Sequence, residues 1–149
     1  MKIEAEEKFR EFLKNGKNRI TPERFEVLNA ALEFEGHFCA DDLYIAMKKN
    51  NSGVSRATVY NTVELLSQCQ IISKRNFGDN MTRYEKNFGT VNHEHLVCTT
   101  CGKIVEFSTS KLKPIIDEVS RELGFTVSSY SLNLFGKCSG KDCCPKDEE

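Results

Sequence analysis

Two pairs of closely spaced cysteines lie in the last third of this chain. Two residues separate Cys98 from Cys101, and four separate Cys138 from Cys143. Paired thiolates on two short loops supply the four sulfur ligands of a tetrahedral structural zinc. The spacing therefore predicts a structural zinc site, with Cys144 as an alternative to Cys143 for the fourth ligand.

Histidines and carboxylates predict a second metal site of different chemistry. His93 and His95 alternate along an extended segment, so both imidazoles should lie on one face. His37, Glu85 and Glu106 are the further candidate ligands, since imidazole and carboxylate shells suit Fe(II), Mn(II) or Zn(II). His37 and Glu85 precede the predicted hinge and the others follow it, so an ion that binds all five would lock the two halves together. A structural ion beside an exchangeable one indicates a metal sensor.

The elements before the histidine pair predict a DNA-binding unit. Apolar residues at helical spacing, with caps at Thr21 and Ser55, predict four helices: 3–13, 22–35, 41–47 and 56–69. A basic β-hairpin over residues 71–85 follows, with its turn at Gly78-Asp79-Asn80. Helices that end in such a hairpin are typical of a winged helix, whose recognition helix enters the major groove.

Charge is distributed unevenly although the net charge is only −1. Seven basic and three acidic residues lie between Lys48 and Lys86, whereas seven basic and nine acidic residues follow from Glu94 onward. Any contact with phosphates is therefore predicted in the first half of the chain.

The last third predicts a small β-α-β unit: a strand segment over 93–107, an amphipathic helix over 110–123 and a strand over 125–135. So small a unit needs a metal clip or a partner subunit, and an exposed sheet edge would favour a homodimer. The predicted class is α+β, with a winged-helix DNA-binding domain at 1–86, a hinge at 87–92 and an α/β metal-binding dimerisation domain at 93–149.

Composition narrows the setting in which the chain works. No apolar run approaches the roughly 20 residues of a membrane helix, and the first residues do not form a secretion leader. Seven cysteines, an odd number, favour metal ligation over a disulfide framework. We therefore expect a cytoplasmic protein without a membrane partner.

Several motifs together resemble the ferric uptake regulator family over nearly the whole chain. They are Thr21-Pro-Glu-Arg24, His37 ahead of Asp41-Asp-Leu-Tyr44, Ser55-Arg-Ala-Thr-Val-Tyr-Asn61, Arg83-Tyr-Glu85, and the segment from His93-Glu-His95 through Cys98-Thr-Thr-Cys101 to Glu106. The resemblance implies a dimeric, metal-activated transcriptional repressor, not an enzyme, that binds a pseudo-palindromic operator in double-stranded DNA.

The resemblance also implies roles for individual residues. Arg56, Ala57, Tyr60 and Asn61 match the family's major-groove positions, and Lys14 matches a backbone or minor-groove contact. The histidine and carboxylate set matches the regulatory site, and the four cysteines match the structural zinc.

Departures from particular relatives favour Fe(II) as the regulatory ion. Glu85 stands where zinc sensors tend to have cysteine, and Glu106 stands where peroxide sensors typically have aspartate. Asn92, Glu94 and Tyr130 occupy the positions of a further metal site in some members, which predicts that this site is absent. Mn(II) is the next candidate ion, and Zn(II) is expected to bind in vitro. Peroxide sensing, or a response to manganese or zinc, is the alternative within the family.

Two alternatives lie outside this family. A zinc hydrolase would be expected to carry a His-Glu-x-x-His helix or a nucleophile elbow, and the chain has neither. A metal-buffering protein would not need the recognition helix or the basic hairpin.

Overall fold

The computed structural model describes residues 2–87 and 93–139. The chain separates into two compact units, with the division between Thr90 and Val91. Residues 88–92 of the predicted hinge lie outside the described residues, as do Cys143 and Cys144.

The first unit contains four helices and a hairpin, in the order predicted for a winged helix. The elements are α1 (Lys2–Asn15), α2 (Pro22–Glu33), α3 (Ala40–Lys49), α4 (Arg56–Gln68), β1 (Ile72–Asn76) and β2 (Thr82–Lys86). Their apolar faces share one core, which includes Phe9, Leu28, Leu43, Leu66 and Ile71. The core fixes α4 against α2 and α3, and the opposite face of α4 is left exposed.

The residues that precede α2 and α3 cap their helices in different ways. Thr21 is the N-cap residue of α2 as predicted, in an extended conformation with Pro22 directly after it, but its side chain makes no capping hydrogen bond. Cys39 precedes α3 and accepts from the Asp42 N–H at 3.4 Å, while the Asp42 carboxylate accepts from the Cys39 N–H at 2.9 Å. The acidic half of this capping box compensates for a weak sulfur acceptor.

The hairpin is antiparallel, with Ile72 opposite Lys86 and Asn76 opposite Thr82. It is joined to the loop before α3 by two backbone hydrogen bonds between Phe38 and Tyr84, of 3.0 and 2.7 Å. This bridge places His37 beside the strand residue Glu85.

The second unit contains β3 (Glu94–Cys98), β4 (Ile104–Phe107), α5 (Leu112–Leu123) and β5 (Asn133–Gly136). The sheet order is β4-β3-β5, with β4 antiparallel and β5 parallel to β3. The mixed α+β class is therefore confirmed.

Two boundaries in the second unit were predicted wrongly. The segment 93–107 is two strands joined by a turn at Thr99–Cys101, and residues 125–132 are not strand. Gly124 ends α5 with a positive φ of 70°. Because β5 runs parallel to β3, the chain must cross back over the sheet after α5, and the segment before Asn133 makes that connection. Alternating apolar residues alone do not reveal this requirement.

Within the described residues, no helix is long and apolar enough to cross a membrane.

Candidate metal centres and nucleic-acid interface

Three of the predicted cysteine ligands converge in the second unit. Cys98 ends β3, Cys101 lies in the following turn, and Cys138 follows β5, which pairs with β3 so that Gly136 is opposite Cys98. The three sulfurs lie within 4.8 Å of one another. Zinc–sulfur bonds of about 2.3 Å in a tetrahedron require sulfurs about 3.8 Å apart, so little movement is needed. The donor set fits a thiophilic ion.

The local backbone favours the thiolate form of Cys98. Hydrogen bonding to the backbone N–H of Cys101 is the largest cause, followed by the N–H groups of Cys138 and Thr100, and it lowers the pKa of the Cys98 thiol from 9.0 to about 5. Gly102 closes the turn with a φ of 73° and donates its N–H to the Cys98 carbonyl at 2.9 Å. Because metals bind the thiolate, this turn is prepared for ligation before any ion arrives.

The first unit brings together His37 and Glu85. His37 Nε2 lies 2.8 Å from Glu85 Oε2, and both side chains are largely buried. Sequence reasoning missed the third member, Arg75, whose Nε–H donates to Glu85 Oε1 at 2.5 Å. The hairpin register carries that signal, because Ser73 is opposite Glu85 and Arg75 is its diagonal neighbour.

The second unit brings together His93, His95 and Glu106. Glu106 on β4 is opposite His95 on β3, and His93 Nε2 lies 3.6 Å from Glu106 Oε1. The two imidazole rings have centroids 4.9 Å apart, and one potential ligand atom from each residue lies within 4.8 Å of the others. The alternation of strand residues accounts for this convergence. These donors fit a divalent ion of intermediate softness.

Glu94, between the two histidines, is engaged differently. Its side chain is buried, and Tyr130 donates its hydroxyl to Glu94 Oε1 at 3.0 Å. This hydrogen bond raises the pKa of the Tyr130 hydroxyl. Among the described residues, every potential metal ligand that lies in a cluster belongs either to the histidine and carboxylate ligands above or to the three cysteines.

Helix α4 presents the predicted reading face. Val59, Val63 and Leu66 are buried, whereas Ala57, Tyr60 and Asn61 are exposed, as the helical pattern predicts. The cap is also as predicted, since Ser55 Oγ accepts from the Thr58 N–H at 3.2 Å. Lys14 lies exposed in the last turn of α1.

Two residues of this face already have a protein partner, which sequence reasoning missed. Arg56 Nη1 lies 2.7 Å from Asp41 Oδ1, and its guanidinium lies over the Tyr44 ring, 4.9 Å from the centroid. A hydrogen bond to Asp41 also raises the pKa of Tyr60. Asp41 thus holds both side chains against the N-terminal end of α3.

The hairpin is less basic in effect than its composition predicts. Besides the contact of Arg75 with Glu85, Arg83 pairs with Asp79 at 2.6 Å and Lys74 lies 3.9 Å from Glu64. These pairs neutralise part of the positive charge that the composition of the hairpin predicts.

Comparison with known proteins places these sites in a family. The model of the ferric uptake regulator family matches residues 15–135. The chain is 33% identical over 130 residues to the ferric uptake regulation protein of Bacillus subtilis, covering 83% of this chain and 87% of that one. It is also 33% identical over 137 residues to the peroxide operon regulator of the same organism, covering 92% of each.

A solved structure gives the same result for the fold. The ferric uptake regulator of Pseudomonas aeruginosa with manganese superimposes with a TM-score of 0.75 at 25% identity, covering 85% of this chain and 95% of that one. The chain therefore belongs to the ferric uptake regulator family of metal-responsive regulators.

Proposed function

We propose that this chain is a homodimeric transcriptional repressor that binds a pseudo-palindromic DNA operator when Fe(II) occupies its histidine and carboxylate site. The observation that carries the proposal is the division of the ligands. One unit holds His37 with Glu85 and the other holds His93, His95 and Glu106, and neither set contains a thiolate.

A single regulatory ion is proposed to take ligands from both sets. Fe(II) and Mn(II) favour more ligands than the two or three that either unit supplies, and their preferred donors are imidazole and carboxylate. An ion that binds both sets stabilises one arrangement of the units, and its differential affinity for that arrangement sets the bias toward DNA binding. Zn(II) is expected to bind the same ligands in vitro because of its place in the affinity order.

A separate structural zinc is proposed at the cysteines. Cys98, Cys101 and Cys138 supply three ligands, and Cys143 or Cys144 supplies the fourth. Its role is to join the end of β5 to the turn between β3 and β4.

Dimerisation is proposed through the second unit. Within the described residues no side chain of α5 is buried, and Leu123 and Phe125 are 67% and 72% exposed. Apolar residues exposed in such number are typical of a surface that a partner covers. A dimer would place two reading helices on two half-sites of DNA in the cytoplasm.

DNA reading is assigned to α4 and to the end of α1. Arg56, Ala57, Tyr60 and Asn61 are proposed to contact bases, and Lys14 the backbone or minor groove. Tyr60→Ala should cost about 1–3 kcal/mol of specific binding if the ring packs on a base edge. Lys74→Ala on the hairpin should mainly reduce the salt dependence.

The experiment that tests the proposal is a DNA-binding titration with anaerobically prepared protein and Fe(II), Mn(II) or Zn(II), on an operator selected from random sequence. We expect Fe(II) or Mn(II) to raise specific affinity. His37→Ala should weaken metal affinity by at least roughly 10–100-fold. Losing a hydrogen-bond partner of a metal ligand already costs that much, and this variant removes a proposed ligand itself. Glu35→Ala, an exposed change in the same loop, is the control. If metal-dependent DNA binding is unchanged in His37→Ala, the regulatory ion does not couple the two units through this residue.

Peroxide sensing is the second candidate, because the peroxide operon regulator is as similar to this chain as the iron regulator is. Peroxide reacts with bound Fe(II) and far less with Mn(II). A peroxide sensor should therefore lose DNA binding after dilute peroxide only in its Fe(II) form, whereas an iron-responsive repressor should recover when Fe(II) is added again.

A further inference from the structure

A positively charged side chain contacts one of the proposed metal ligands in the first unit. The Arg75 Nε–H donates to Glu85 Oε1 at 2.5 Å, while His37 Nε2 lies 2.8 Å from the other carboxylate oxygen, Oε2. The two oxygens of Glu85 therefore face different chemistry. Oε2 adjoins a second proposed ligand, whereas Oε1 adjoins a guanidinium, which has no lone pair to offer a metal.

All three of these side chains are largely withdrawn from solvent. Their exposed fractions are 16% for Arg75, 7% for Glu85 and 12% for His37. An ionised carboxylate in such surroundings is costly unless it is paired, and a guanidinium stays charged throughout the pH range in which proteins fold. Arg75 therefore gives Glu85 a permanent counter-charge that solvent screens far less than it screens a surface ion pair.

The register of the hairpin directs Arg75 toward this carboxylate. Arg75 on β1 is directly opposite Arg83 on β2, and like charges at opposed positions of an antiparallel pair repel. Arg83 pairs with Asp79 at the hairpin turn, at 2.6 Å, and Arg75 pairs with its diagonal neighbour Glu85. Repulsion across the hairpin thus favours the arrangement in which each arginine contacts its own carboxylate.

A divalent ion bound by Glu85 would meet Arg75 as a like charge. The ion and the guanidinium would share one carboxylate, and like charges within about 4–6 Å of each other oppose one another strongly. Many hydrogen-bond partners of metal ligands strengthen binding, because they raise the basicity of the ligand. A cation beside a carboxylate acts in the opposite sense, since it withdraws electron density from the oxygens that would bind the metal.

We infer that Arg75 is a positioning residue that serves as the internal counter-ion of Glu85 and lowers the affinity of the regulatory site for its metal. In metal-free protein it keeps Glu85 ionised and oriented, and in either state it leaves Oε2 as the one oxygen that Glu85 offers. The inference deepens the proposed function and rests on it for the identity of the site. A lowered affinity keeps binding reversible, so that occupancy of the site follows the concentration of free metal.

Arg75→Gln separates the charge from the hydrogen bond. The amide nitrogen of glutamine stands at the same place along the side chain as the arginine Nε, so a donor to Glu85 is kept while the charge is removed. The measurement is a Mn(II) titration of the full chain with its cysteine zinc in place, in which electron paramagnetic resonance reports free Mn(II). Arg75→Gln should bind Mn(II) about tenfold more tightly, and Arg75→Lys, which keeps the charge, should stay within about twofold of the unmodified protein.

Lys49→Gln is the control for a general effect of charge. It removes one positive charge from the exposed surface of the same unit and should leave Mn(II) affinity unchanged, because solvent screens that charge. Weaker Mn(II) binding in Arg75→Gln would overturn the inference, since Arg75 would then support its ligand as most outer partners do. Unchanged binding would overturn it as well, because the ion would not sense the charge.

The stability of protein without regulatory metal gives a second measurement. Arg75→Gln leaves a buried carboxylate without its counter-charge, so it should lower the melting temperature of the first unit. The same change should have little effect in a Glu85→Gln background, where no charge needs a partner. Saturating Mn(II) should raise the melting temperature more in Arg75→Gln than in the unmodified protein, because the ion replaces the missing charge. Equal destabilisation in both backgrounds would show that Arg75 acts through other contacts, and the inference would be wrong.

Failure of the proposed function would look different from failure of this inference. If Glu85→Gln binds Mn(II) as the unmodified protein does, Glu85 is not a ligand and both are overturned. If Arg75→Gln gains Mn(II) affinity while DNA binding ignores metal, the counter-ion role of Arg75 is supported and the metal-dependent repressor is overturned.

Discussion

The first unit has a continuous apolar core, and the second unit does not. Side chains such as Phe9, Leu28 and Leu66 form a continuous core in the first unit, whose helices bury their apolar faces against one another. In the second unit Val97 and Cys98 are buried on β3, but no residue of α5 is more than partly buried within the described residues. The first unit therefore has an apolar core of its own, whereas we expect the second unit to need a metal and a partner subunit for its stability.

The same contrast holds for the functional groups. In the first unit Arg56 is held by Asp41, and Glu85 by Arg75 and His37. In the second unit the thiol of Cys98 is prepared as a thiolate by backbone N–H groups, which is the form that a metal requires. The contrast is confined to the cysteines, since His93 and Glu94 of the second unit also have internal partners in Glu106 and Tyr130.

The largest effect is expected when the proposed structural zinc site at the cysteines is removed. Cys98→Ser should lose one tightly bound zinc and should unfold or monomerise the second unit, because a domain of this size lacks the core to fold alone. Metal analysis, size-exclusion chromatography and circular dichroism measure the three consequences. Cys69→Ser, at a buried cysteine of the first unit, is the control and should retain the zinc. If Cys98→Ser remains a dimer with its full zinc content, the cysteines do not form the structural zinc site.

The next largest effect tests the core of the first unit. Leu66→Ala removes a fully buried side chain and should lower the free energy of unfolding of that unit by about 2–5 kcal/mol. The zinc content should not change, because its ligands belong to the other unit. Denaturant unfolding with a zinc indicator present distinguishes the two. Simultaneous loss of zinc and helix would mean that the units fold as one.

A third prediction concerns the exposed face of α5. Leu123→Glu introduces a charge at a position that is 67% exposed, so it should hardly affect the fold of an isolated subunit. It should nevertheless shift the dimer toward monomer, because a partner that covers this residue would have to bury the charge. Sedimentation measures the shift, with Glu122→Gln as the control. An unaffected dimer would place the interface elsewhere.

Cys69 in the first unit and Cys98 in the second should have pKa values shifted in opposite directions. Burial raises the pKa of Cys69, whereas backbone N–H groups lower the pKa of Cys98 to about 5 from 9.0. A lowered pKa stabilises the folded form above pH 9 and loses that contribution as pH falls through about 5. Protein with zinc bound should therefore keep the Cys98 thiolate down to about pH 5, which thiolate absorbance detects, and this signal should be missing in Cys98→Ser. Zinc should also be released as pH falls through this range.

The sequence predicted well what depends on short-range spacing. The alternation of His93 and His95, the Cys98–Cys101 turn and the exposed face of α4 follow from the periods of strands and helices. The position of His37 beside Glu85 depends on the bridge between Phe38 and Tyr84, residues 46 positions apart, and no local pattern encodes it. Here the family resemblance supplied what spacing could not.

Side-chain pairing was harder to predict than ligand placement. From its position alone, Asp41 is expected only to stabilise the start of α3 by its negative charge, but it also contacts Arg56 and Tyr60. That contact depends on how α3 packs against α4, which hydrophobic spacing constrains only loosely. The alternating residues of 125–132 misled for a similar reason, because the parallel pairing of β5 decides where the strand begins.

The smallest effect is expected when the ion pair between Asp41 and Arg56 in the first unit is broken. Asp41→Asn keeps the shape of the side chain and removes the charge that holds Arg56 at 2.7 Å and raises the pKa of Tyr60. Since such exposed pairs are worth about 0.2–1 kcal/mol, releasing Arg56 and removing an acid near DNA should raise affinity about two- to fivefold. The phenol of Tyr60 should ionise at lower pH in the variant, which ultraviolet absorbance of the phenolate detects. Asp117→Asn, which breaks the 2.9 Å pair with Lys113 in the other unit, should change neither property. Weaker DNA binding by Asp41→Asn would reverse the interpretation, because Asp41 would then orient Arg56 for the groove instead of withholding it.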